Sequence, residues 1–113
     1  MTNLKITGII AVCDKYERMR LLIDSYECMN VIISSCISET DNIFLKYPYI
    51  KFVPSEDGIY GECIISLQGK HKKYWKDIIE KNRGKKIQAD IKLRKWKMGS
   101  NNGISFDLKD LII

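Results

Sequence analysis

GKKIQADIKLRKWKMGSNNGISFDLKDL, residues 84–111, alternates apolar and polar positions along most of its length. From Lys86 to Met98 the apolar set is Ile87, Ala89, Ile91 and Leu93, spaced two apart. That is the period of a half-buried strand. Lys92, Arg94 and Trp96 share the opposite, outward face. The stretch MGSNNG, residues 98–103, predicts a flexible polar loop, with Asn102-Gly103 as its turn signal. Ile104, Phe106 and Leu108 then face inward on a strand over 104–111.

Immediately before this pair, residues 70–83 read as a helix. Tyr74, Trp75, Ile78 and Ile79 form an apolar stripe, and Gly84 stands where a C-terminal cap is expected. Lys81 and Arg83 suit the negative end of the helix dipole. Residues 70–98 hold twelve of the nineteen Lys and Arg residues and three of the fourteen acids, a formal charge of +9 against +5 for the whole chain. Trp75 and Trp96 both lie inside this block. Concentrated positive charge interleaved with aromatic rings attracts a polyanion, of which nucleic acid is the commonest. The competing reading is a solvated lysine-rich face.

Further back, residues 4–13 read as a strand, with Leu4, Ile6, Ile10 and Val12 on one face and Gly8 in its middle. A glycine there predicts a bulge or bend. A second strand over 16–24 follows, with Met19, Leu21 and Ile23 inward and Tyr16, Arg18 and Arg20 outward. Residues 28–37, CMNVIISSCI, are β-branched enough for a strand, with a short buried helix as the alternative. Residues 38–58 contain both prolines and read as an excursion with one short strand at 49–53. Residues 59–67 form another strand, with Ile59, Cys63, Ile65 and Leu67 on one face.

With the 28–58 excursion set aside, the order is three strands, a helix and two strands. This order, with 84–111 as the last pair, resembles the oligonucleotide/oligosaccharide-binding (OB) fold of single-stranded nucleic-acid-binding proteins. The resemblance covers about 75 residues of the chain's 113 and rests on pattern and placement. It implies a mainly β, five-stranded OB-like Greek-key barrel over residues 1–113, one domain, with one helix between strands three and four. In that family the ligand crosses strands two and three and is gripped by neighbouring loops. By position this implies a nucleic-acid-binding set of Tyr16, Arg18, Arg20, Tyr60, Lys92, Arg94, Lys95, Trp96 and Lys97. The chemistry fits independently: cations neutralise phosphates and aromatic rings stack on bases. Little in the set can read base edges, so weak sequence preference is expected, with DNA favoured over RNA.

The remaining residues argue against catalysis, metal and cofactor. His71 is the only histidine and lies among lysines. Cys13, Cys28, Cys36 and Cys63 contain no Cys-x-x-Cys pair, and free thiols are expected. No Gly-rich phosphate loop ends in Gly-Lys-Ser/Thr. No apolar run reaches the roughly 20 residues of a membrane span, and the first residues lack the long apolar region of a signal peptide. An intracellular location, cytoplasmic or nuclear, is the resulting expectation. Nineteen Ile and fifteen Lys against two Ala point to an AT-rich genome, viral ones among them. An alternative function is an interaction module that docks a protein partner or a second copy through Leu111, Ile112 and Ile113. The same basic block would also suit anionic lipid or polysaccharide.

Overall fold

The computed structural model describes residues 3–13, 18–40, 50–51, 58–67, 69 and 71–113. The elements run β1 (Asn3–Cys13), β2 (Arg18–Ile23), α1 (Tyr26–Thr40), β3 (Ile50–Lys51), β4 (Gly61–Ser66), α2 (Lys72–Lys81), β5 (Lys86–Met98) and β6 (Asn101–Ile112). The protein is mainly β, with all six strands in one sheet ordered β2-β1-β5-β6-β4-β3.

A further pairing, β2 with β4, joins strands from distant places in that order. Five strands therefore form a circuit in which each has two neighbours. All its pairings are antiparallel except β4 with β6, which is parallel. The circuit is strongly staggered. Asn3 faces Lys92, Lys92 faces Asp107, Asp107 faces Ser66 and Ser66 faces Arg18. Met19, the next residue, faces Cys13. One walk round thus returns to the opposite end of β1 from the one it left.

The inward faces make the core: Leu4, Ile6 and Ile10 from β1, Met19, Leu21 and Ile23 from β2, Cys63 and Ile65 from β4, Ile87, Ala89, Ile91 and Leu93 from β5, and Ile104, Phe106 and Leu108 from β6. Gly8 sits in the inward phase of β1. A Cβ there would stand 2.5 Å from the Leu22 carbonyl oxygen and 2.8 Å from Leu21 Cγ. The glycine therefore serves the close approach of β2. The expected bulge lies elsewhere, between Ile10 and Val12, and it sets Val12 opposite Arg20 rather than in phase with Ile10.

The strand expected over 28–37 and the single helix expected in all are both corrected by the structure. α1 occupies this stretch, between β2 and β3. Met29, Ile32 and Cys36 recur at helical spacing and are buried in the core, and Cys28 and Ile33 pack beside them. This burial period outweighs the β-branched character of Val31, Ile32, Ile33 and Ile37. Ser25 starts the helix: its Oγ accepts the Cys28 N–H at 3.2 Å and its carbonyl accepts the Met29 N–H at 3.0 Å.

α2 buries Ile79 and packs Trp75 and Ile78 against the core. Tyr74 departs from the expected apolar stripe. It is 60% exposed and meets Trp75 edge to face at 5.2 Å. The helix ends at Asn82, whose Nδ2 donates to the Ile78 carbonyl at 2.7 Å. Gly84 then takes φ 82° and donates to the Ile10 carbonyl at 2.8 Å, stitching the turn to β1.

The flexible loop expected over 98–103 is also corrected. β5 and β6 pair up to Met98–Asn101, leaving a two-residue hairpin turn at Gly99-Ser100. Gly99 has φ 60°, as the first central residue of such a turn requires. Gly103, expected as part of the turn, pairs with Trp96 inside the ribbon.

Candidate functional site

The strand register assembles an outward surface that the sequence alone could not show. On it, β2 supplies Arg18, Arg20 and Leu22; β4 supplies Ser66, Ile64 and Glu62; β6 supplies Asp107, Ser105 and Gly103; β5 supplies Lys92, Arg94 and Trp96. The first row runs Arg18, Ser66, Asp107, Lys92 through registered partners. Arg18 and Lys92 are 74 residues apart in sequence and stand three strand spacings apart, about 14 Å.

The cationic and aromatic side chains of this surface therefore stand on its two outer strands, and its acidic ones on the two inner strands. The inner residues Glu62, Ile64 and Ser105 are buried despite their outward register. Each of two flanking arginines leans inward onto a carboxylate. Arg20 makes a two-pronged pair with Glu62: Nε donates to Oε1, and Nη2 donates to Oε2 at 2.9 Å. The Glu62 side chain is 6% exposed and that of Arg20 41%. Arg94 is held in the same manner by Asp107, with Nε to Oδ2 at 2.8 Å and Nη2 to Oδ1 at 3.5 Å. Side-on pairing through Nε and Nη2 orients a guanidinium and cancels most of its field at long range.

The nine residues expected at the site divide as follows. Arg18, Arg20, Lys92, Arg94 and Trp96 come together on this surface. Lys95 and Lys97 lie beyond it, exposed on the ribbon that leads to the Gly99-Ser100 turn. Among the described residues, Lys92 and Lys97 hold no carboxylate. Tyr60 is not brought to the Arg18 end. Its N–H donates to the Ile23 carbonyl at 2.8 Å, and its ring, 39% exposed, meets the Tyr26 ring at 5.7 Å. Five residue steps of β2, about 17 Å, separate that end from Arg18. Tyr16 lies outside the described residues, as do Tyr47, Tyr49 and Phe52 of the excursion.

The sequence does not show the places of Glu62, Asp107 and Gly103 at this surface. Each matters only through its cross-strand neighbour, so the register was the missing signal. At the other expected docking segment, Leu111 is buried in the core, while Ile112 and Ile113 are exposed.

Cys36 and Cys63 are buried free thiols and Cys28 is half-buried. Burial pushes the Cys63 thiol well above its ordinary value of 9.0, and Cys36, Cys28 and Glu62 push it further the same way. A thiol so disposed is a poor nucleophile. Among the described residues no group of three His, Cys, Asp or Glu is placed to hold a metal ion, and no helix is long and apolar enough to cross a membrane.

Comparison with protein-family models, curated proteins and solved structures finds no match to this chain.

Proposed function

We propose that this is a non-catalytic, intracellular single-stranded nucleic-acid-binding protein, with DNA favoured over RNA, built as an OB-like Greek-key barrel. The barrel reading is supported by the five-strand circuit, its strong stagger and the position of α2 between the third and fourth strands of that circuit. One observation carries the function: the register brings Arg18 of β2 to the same outward surface as Lys92, Arg94 and Trp96 of β5, with two strands between them. Lysines that hold no acid can neutralise phosphates and release counterions, and an indole can stack on a base. Because the two paired arginines contribute little net charge, stacking takes a larger share of the affinity than the sequence charge alone implies.

Fluorescence anisotropy with labelled single-stranded DNA, at two salt concentrations, tests this. The expected result is micromolar or tighter binding at low salt, steep salt dependence, and a larger loss for Trp96→Ala than for Lys73→Ala. No binding at low salt refutes the proposal. A second reading, a subunit that assembles with another chain, draws support from the exposure of Ile112 and Ile113. Light scattering that gives a strict monomer which still binds oligonucleotide counts against it.

A further inference from the structure

Gly103 has an unusual place in β6. It is an interior strand residue, where glycine weakens pairing and offers no side chain to pack. Its backbone does not adopt the left-handed conformation found at Gly58, Gly69, Gly84 and Gly99. Conformational freedom is therefore not what it supplies; space is. Gly103 faces Trp96 across the ribbon. A Cβ at Gly103 would stand 2.7 Å from Trp96 Cζ2, 2.9 Å from Cε2 and 3.1 Å from Nε1. The indole occupies the volume that any other residue's side chain would need.

We propose that Gly103 is a positioning residue: it seats the half-buried Trp96 ring against the strand and so fixes the orientation from which the ring stacks on a base. This rests on the nucleic-acid reading above and deepens it. An indole laid on a glycine recovers the pairing strength the glycine costs. It also gives up its side-chain freedom before the ligand arrives, so less entropy is lost on binding. Arg94, two residues earlier on the same face, is fixed in the same direction by Asp107. The platform is thus one ring held by an absent side chain and one guanidinium held by a carboxylate. Gly103 itself touches no ligand.

A double-mutant cycle tests the proposal, with single-stranded DNA binding measured at about 50 mM salt, where the electrostatic contribution is strong. Trp96→Ala is expected to lower affinity roughly 5- to 150-fold, the range for loss of one stacked ring. Gly103→Ala should reproduce most of that loss, and the double variant should bind no more weakly than Trp96→Ala alone. Protein labelled with 5-fluorotryptophan adds a spectroscopic readout: Gly103→Ala should move the Trp96 fluorine resonance and leave that of Trp75 in place. Wild-type affinity in Gly103→Ala overturns the role of Gly103, as does a double variant whose loss is the product of the two single losses. Absence of wild-type binding overturns instead the nucleic-acid reading, and the stacking role with it. If Gly103→Ala does not fold, Trp96→Phe is compared with Trp96→Phe/Gly103→Ala, because the smaller ring leaves room for the methyl group. Equal affinities support the seat; a further fall overturns it.

Discussion

Replacing Gly8 with alanine should destabilise the protein, although glycine-to-alanine changes inside strands ordinarily do the reverse. The ordinary gain comes from the unfolded chain, which loses freedom, and is about 0.4–1 kcal/mol. Here the added methyl would lie 2.5 Å from the Leu22 carbonyl oxygen and 2.8 Å from Leu21 Cγ. Favourable carbon contacts lie at roughly 3.5–4.0 Å, so β1 and β2 must separate or shift. The opposing residues are Ile9–Leu22 and Ile10–Leu21, at the middle of the crossing. Loosening two hydrogen bonds costs about 2 kcal/mol, and displacing a fully buried Leu21 about 1 more. Net of the unfolded-state gain, the expected loss is about 2 kcal/mol. Urea unfolding followed by circular dichroism should show it as a midpoint lowered by about 1–2 M at an unchanged slope. A midpoint equal to or above that of the wild type would refute the close approach of β1 and β2.

Three other expectations are independent of that one. Ser25→Ala should cost about 1 kcal/mol, because the Cys28 N–H loses its acceptor at the start of α1; an unchanged urea midpoint would count against the cap. Asp107→Asn keeps an acceptor for Arg94 but removes a negative charge from the centre of the basic surface. Single-stranded DNA affinity at low salt should rise several-fold and the salt slope steepen by about 0.7, whereas weaker binding would show that the carboxylate itself is needed. Cys63 titrates above its ordinary 9.0 in the folded state, so at alkaline pH the unfolded chain sheds its thiol proton first. The folded state therefore loses stability as pH rises past about 9, and urea midpoints at pH 8 and 10 should differ in that direction only in part if Cys63→Ser replaces the wild type.

What the sequence made legible follows from the range of the interactions involved. β5 was readable to its end residues because Ile87, Ala89, Ile91 and Leu93 alternate without interruption and need no partner to be recognised. α2 was readable for the same reason, from a local stripe, although its first-turn Tyr74 faces solvent and Asn82 rather than Gly84 caps it. α1 was not, because its β-branched residues give one local signal and its buried positions another. Only the presence of the sheet beneath Met29, Ile32 and Cys36 decides between them. The two glycines were noticed for the wrong reasons. Gly8 suggested a bulge and Gly103 a turn, whereas each makes room for a neighbour on the adjacent strand. The arginine partners were hidden by distance: Arg20 and Glu62 are 42 residues apart, and neither carries a mark that points to the other.

The circuit has an uneven seam. β5 and β6 face each other over eleven residue pairs, but among the described residues β4 meets β6 only at Ile65–Phe106 and Ser66–Asp107. These are also the pairings that join strands running in the same direction, which cannot form as a hairpin and must await the long crossover through α2 and β5. In time rather than in space, this makes the seam the last joint to close and the first to open. Amides along Ile91 and Leu93 should exchange only with global unfolding, while those at Phe106 and Asp107 on the β4 side should exchange through smaller, faster openings. Asp107 sits on that joint and also holds Arg94, so breathing of the sheet and the aim of the basic surface are mechanically connected.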